Sequence, residues 1–96
     1  MYVIMNLEAY WQNMGVVNVA EYQTFGVTCG AGQNLNINFA RYADETNWNC
    51  GADVTHQLRN LCPGTKCSFI QVSNSNLGGD PCPNQFKALH FSYYCN

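Results

Sequence analysis

Apolar and polar residues alternate at period two over Leu35-Asn36-Ile37-Asn38-Phe39. This is the clearest strand signal in the chain, and it sends one face to a core and the asparagines to water. Upstream, Val16, Val17, Val19, Phe25 and Val27 are strand formers, with Gly26 placed as a bulge or point of close approach. The Gly30-Ala31-Gly32 segment separates them from the alternating run as a turn. Over Asp53–Leu61 the period changes: Val54, Leu58 and Leu61 fall at i, i+4 and i+7, and Asp53 stands where it can cap. The pattern predicts a short helix that Pro63-Gly64 stops. Cys67–Val72 is a further strand, followed by a polar loop from Ser73 to Pro83. Lys87–Cys95 is the last strand, with Leu89, Phe91 and Tyr93 on one side and Ala88, His90, Ser92 and Tyr94 on the other. The sum is an α+β domain of mostly antiparallel strands with one short helix packed on them.

Residues 1–15 show no clear period. Met1, Met5, Tyr10, Trp11 and Met14 fit an extra strand, a short helix or a floppy extension equally well. The segment is set apart as an N-terminal extension, and residues 16–96 as one domain. It lacks the basic start of a secretory signal, and Glu8 interrupts what would be the apolar part.

A 96-residue chain supports one core that buries only about 60–65% of the unfolded surface, so cross-links matter. Six cysteines in this length form an even, dense set that reads as a disulfide framework from an oxidising compartment. A zinc site is the alternative, but no cysteine pair has the two-residue spacing typical of zinc knuckles, so no metal and no cofactor are expected. Sequence alone leaves about 15 pairings of six cysteines open.

The net charge is −2 and the only cations are Arg41, Arg59, Lys66 and Lys87, so a nucleic-acid partner is not expected. Charged residues make up 10% of the chain, which leaves a surface of neutral hydrogen-bonding groups. Such a surface suits sugars, whose hydroxyls need directional donors and acceptors. No apolar run reaches the roughly 18–20 residues that would cross a bilayer, so membrane insertion is not expected.

Several different short motifs follow one another at defined spacings: Cys62-x4-Cys67, Val72-Ser73-Asn74, Gly79-Asp80-Pro81-Cys82, Lys87-x-Leu89 and Tyr94-Cys95. As an ordered set they resemble the rhamnose- and galactose-binding lectin domain of sea-urchin egg lectin, fish egg lectins, latrophilins and plant β-galactosidases. The resemblance spans roughly Val19 to Cys95. Gly78-Gly79 and Pro83-Asn84 look more like the plant version, which implies a non-catalytic appendage of a larger protein such as a β-galactosidase. Ala20-Glu21 lies where the family has Cys-Glu, and Ala43-Asp44 lies after Tyr42 where it has Gly-Arg. The aspartate therefore reverses the charge expected near the pocket.

The resemblance implies the pairs Cys29–Cys95, Cys50–Cys82 and Cys62–Cys67, and a secreted or extracellular location. It also implies a site for a mono- or oligosaccharide of the L-rhamnose or D-galactose type. Glu21 and Asp80 would accept sugar hydroxyls, because charge-assisted hydrogen bonds are roughly twice as strong as neutral ones. Lys87 and the backbone N–H of Asn84 would donate, and Tyr42 would offer a flat ring with a hydroxyl. Each residue also has a plainer role: Glu21 as an exposed strand charge, Asp80 as a turn cap, Lys87 as an edge-strand charge and Tyr42 as core. Trp48 is expected to pack, and His56 and His90 are given no role.

Two other functions compete with the lectin. A glycoside hydrolase needs two carboxylates about 5–9 Å apart in a cleft, and so small a stapled chain offers little depth, so no enzyme is expected. The alternative to sugar binding is an extracellular protein-interaction module on the same fold.

Overall fold

The computed structural model describes residues 2–5, 8–11 and 14–96, with side chains from residue 14 onward. Positions 1, 6, 7, 12 and 13 of the expected extension lie outside the described residues. Two four-stranded antiparallel sheets make up the framework. The first has the order β2 (Glu8–Trp11), β1 (Tyr2–Met5), β4 (Thr24–Thr28), β7 (Lys66–Gln71). The second runs β3 (Met14–Ala20), β8 (Lys87–Cys95), β5 (Leu35–Asp44), β6 (Asn47–Asp53). One helix, α1 (Thr55–Leu61), is present among the described residues. The class is α+β, as the pattern predicts. β1 pairs with β4 from Tyr2↔Thr28 to Met5↔Phe25, and β3 crosses the expected 15/16 boundary.

The core fills the space between the sheets. Val17 and Val19 of β3, Phe25 and Val27 of β4, and Leu89, Phe91 and Tyr93 of β8 are all buried. The Phe25 and Phe91 rings meet with centroids 5.3 Å apart. β8 alternates as its sequence requires, with one departure: Ala88 is buried too.

β5 departs from simple alternation. The ladder with β8 shifts between Ile37 and Phe39, and that bulge turns Phe39 outward, 43% exposed, while Ala40 and Tyr42 take over the core face. The backbone groups released there are satisfied by the helix. Ala40 N–H donates to Thr55 Oγ1 at 2.9 Å, Val54 N–H donates to Ala40 O at 2.9 Å, and Arg59 donates twice to Ile37 O at 3.0 and 2.8 Å. β6 pairs only with Arg41–Asp44, so α1 closes the part of the β5 edge that β6 leaves open.

The helix begins two residues later than its pattern suggests. Asp53 ends β6, and its Oδ1 accepts from Thr55 N at 2.9 Å and Thr55 Oγ1 at 2.6 Å. Those bonds hold its carboxyl below the usual 3.8. Val54 and Leu58 are buried against the core, and Leu61 is partly so. Gly26 sits at the β4/β7 irregularity between Phe25 and Val27, the bulge its position predicts.

Three disulfides brace the sheets: Cys29–Cys95, Cys50–Cys82 and Cys62–Cys67. These are the same pairs that the resemblance implies. Next to Cys50, Gly51 lies opposite Ala43, and a Cβ there would come within 2.4 Å of Ala43 Cβ and 2.7 Å of both Ala43 Cα and Tyr42 O. Backbone must move to admit it. Gly51→Ala is expected to lower stability by about 1–3 kcal/mol, measured as a shift in urea midpoint; an unchanged midpoint would refute the crowding.

Candidate functional site

The chain crosses from β3 into β4 beside the start of β8, and two reciprocal hydrogen bonds hold that seam. Glu21 N–H donates to Lys87 O at 2.8 Å, and Lys87 N–H donates to Glu21 Oε1 at 3.0 Å. Both side chains are buried. Lys87 Nζ lies 3.4 Å from Glu21 Oε1 and 3.1 Å from Asp80 Oδ1. It also donates to Gln85 O at 2.8 Å and reaches Cys82 O at 3.4 Å. Four acceptors thus surround three ammonium protons, and the two at 3.4 Å are the loosest.

Asp80 reaches the cluster from the Gly79–Cys82 turn. Its Oδ1 also accepts from Cys82 N at 3.1 Å, so this carboxylate both caps its turn and neutralises the lysine. At 34% exposed it is the wettest acid of the cluster. Tyr42 supplies the wall: its ring centroid is 5.7 Å from Lys87 Nζ, and its hydroxyl donates to Asn74 Oδ1 at 2.7 Å. The ring faces the ammonium as in a cation–π contact.

Glu21, Tyr42, Asp80 and Lys87 therefore converge. Asn84 is exposed in the turn between Cys82 and Lys87 with a left-handed backbone at φ 64°, and no hydrogen bond joins it to the other four. The simple alternatives fare unevenly. Glu21 is not an exposed strand charge, and Lys87 is not on an edge, because β8 lies between β3 and β5. Tyr42 is core as well as wall. Asp44 spends its Oδ1 on Thr46 N at 3.0 Å and Thr46 Oγ1 at 3.1 Å, closing the β5–β6 turn.

Asn74 and the carbonyls of Cys82 and Gln85 join the site without being among the expected residues. Asn74 belongs to the Val72-Ser73-Asn74 motif, which is the signal that points to it. The carbonyls leave no side-chain signature. Trp48 is half-exposed, with the Arg41 guanidinium 5.3 Å from its centroid and the His90 ring at 4.9 Å. Among the described residues no group of His, Cys, Asp and Glu is arranged to hold a metal.

One hollow of about 360 Å³ is bordered by Asn36, Asn38, Arg59 and Tyr94 and by none of the five candidates. Asp80 borders a smaller one of about 190 Å³ with Leu77, Gly79 and Gln57.

Burial and charge work against each other at Lys87. Burial pulls the ammonium pKa down, but the Asp80 hydrogen bond and the Glu21 charge outweigh it and hold it above the usual 10.5. Burial, then the Glu21 charge, pushes the Tyr42 phenol well above its usual 10.0, and burial pushes Tyr93 up to about 12. In the unfolded chain these groups release their protons near 10.0 and 10.5, while the fold retains them longer. Stability contributed by all three is complete below about pH 10 and declines as pH rises through the raised folded values. Thermal melts from pH 8 to 12 are expected to be flat below about 10 and to fall above it. A decline already complete by pH 9 would contradict this.

The family model described as the D-galactoside/L-rhamnose binding SUEL lectin domain matches residues 27–95. The match contains Tyr42, Asp80, Asn84 and Lys87, and Glu21 lies just ahead of it. No curated protein matches the chain.

Proposed function

The chain belongs to the D-galactoside/L-rhamnose binding SUEL lectin domain family, whose members are carbohydrate-binding modules, and from that premise we propose that it binds L-rhamnose- or D-galactose-type sugars without catalysis. The observation that carries the reading is the buried ammonium of Lys87 between Glu21 at 3.4 Å and Asp80 at 3.1 Å. Asp80, partly exposed and with one oxygen already used, turns its other oxygen to a sugar hydroxyl. Lys87 redirects its 3.4 Å contact with the Cys82 carbonyl to a sugar oxygen, at small cost because that bond is near the limit of useful length. Glu21 holds the amine in place and accepts a further hydroxyl, the exposed Asn84 N–H adds a donor, and Tyr42 backs the site. A site that pairs buried polar groups rejects a sugar whose hydroxyl points elsewhere.

Affinity for one sugar is expected to be modest, with Kd on the order of 1 mM, or about −4 kcal/mol. Three disulfides suit an oxidising, extracellular setting, and the small site suits an appendage of a larger protein such as a β-galactosidase. Titration of the chain with L-rhamnose and D-galactose, followed through the amide shifts of Glu21, Asn84 and Lys87, tests the reading. Saturating shifts at these residues are expected; none with either sugar would sink it.

One observation favours a second reading as a protein-interaction module. Met14, Val16, Phe39 and Tyr94 are exposed on adjacent strands β3, β8 and β5, where Val16 and Phe39 both flank Ser92. A glycan array run beside a panel of extracellular proteins separates the two, since only a lectin is displaced by free sugar.

A further inference from the structure

The residues that follow Glu21 and precede Lys87 are both aromatic. Because Glu21 and Lys87 are locked together by a backbone bond of 2.8 Å and a bond of 3.0 Å from Lys87 N–H to the Glu21 carboxylate, Tyr22 and Phe86 leave the same seam side by side. Their rings stand 6.4 Å apart, tilted by 47°, and they are 63% and 51% exposed. Two large rings held together in water add little to the core. They form a small apolar surface beside a polar cluster.

The backbone makes the arrangement more pointed. Tyr22 has φ 73°, a left-handed conformation that is strained for a bulky side chain and that glycine adopts freely. The strain is held in place by Tyr22 N–H donating to Val72 O at 2.7 Å and by Gln71 Nε2 donating to Tyr22 O at 3.3 Å. Asn84, with φ 64°, lies in the turn that carries Phe86. Backbone strain of this kind gathers at ligand sites, where the surrounding structure over-determines it.

We infer that Tyr22 and Phe86 are specificity-determining residues that stack on the apolar C–H face of the bound sugar while Asp80 and Lys87 hold its hydroxyls. This rests on the saccharide reading of the cluster. A pyranose carries hydroxyls around its edge and C–H bonds on its faces, so a site that holds only hydroxyls leaves one apolar face in water. The ring quadrupole, negative over its face, attracts polarised C–H bonds, and covering the face removes apolar area from water. The ligand class selected is a pyranose with an unbroken C–H face or a deoxyhexose methyl, and sugars with a polar group on that face are disfavoured.

The test compares the unaltered chain with Tyr22→Gly and Phe86→Ala, titrating each with D-galactose and L-rhamnose by NMR and recording thermal melts. In the unaltered chain, sugar C–H protons are expected to shift upfield under the aromatic ring current. Each variant is expected to lose that shift and to bind about five- to tenfold more weakly. Tyr22→Gly should do so without loss of thermal stability, because glycine relieves the left-handed strain. Variants that bind as tightly as the unaltered chain, with the ring-current shift intact, overturn the stacking role and leave the lectin reading standing. An unaltered chain that binds neither sugar overturns both. Should Tyr22→Gly melt early, the Phe86→Ala affinity and the ring-current shift still decide the matter.

Discussion

Replacing both Cys29 and Cys95 with alanine is expected to cost about 4 kcal/mol of stability. That bridge spans 66 positions and ties the end of β4 to the end of β8, so cutting it releases nearly the whole domain in the unfolded state. Such a loss is a large fraction of the roughly 5–15 kcal/mol that a small domain possesses. The Cys62–Cys67 bridge closes only a five-residue separation, and its removal is expected to cost about 2 kcal/mol on the same chain-entropy reasoning. Urea unfolding of the two double variants without reductant measures both. If the short bridge mattered as much as the long one, the entropic account would be wrong and local strain or packing would be the better explanation.

Lys87→Met is expected to destabilise the fold by about 3–5 kcal/mol, because it leaves the Glu21 carboxylate buried without its counter-charge. Methionine fills much the same space, so the loss reports charge rather than a cavity. Changing Glu21→Gln in the same chain removes the stranded charge and retains a carbonyl oxygen to accept Lys87 N–H, which Glu21 Oε1 now accepts at 3.0 Å. The double variant is therefore expected to be more stable than Lys87→Met alone, a non-additivity characteristic of directly contacting groups. Chemical unfolding of the single and double variants settles it. Two independent, additive losses would mean that the pair is not energetically coupled. Sugar binding should vanish in both, since neither retains the ammonium.

The strands β3, β4, β7 and β8, the first half of β5, the helix and the bulge at Gly26 were legible because each follows from local chemistry: alternation, the i, i+4, i+7 spacing, and a glycine inside a strand; β6 (Asn47–Asp53), which shows no apolar alternation, was not. The candidate cluster was legible in part, through acids and a lysine set in a recognisable order of motifs. Burial of Glu21 and Lys87 was not, because no local pattern reveals that two residues 66 positions apart face each other across a seam. Phe39 shows the same limit from the opposite side. Its alternation points inward, but a bulge at the preceding position reverses it. That bulge is stable only because Thr55, Val54 and Arg59 meet the freed backbone groups of Ala40 and Ile37.

By itself the sequence determined most of the element types from Val16 onward and the polar, weakly charged surface, since these depend on periods and composition within a few neighbouring residues. Tertiary structure alone decided which charges are buried, which carbonyls hold the ammonium and which aromatic rings stand in water beside it. Those outcomes depend on contacts between distant segments, and the free energy of a buried charge is set by every group that surrounds it.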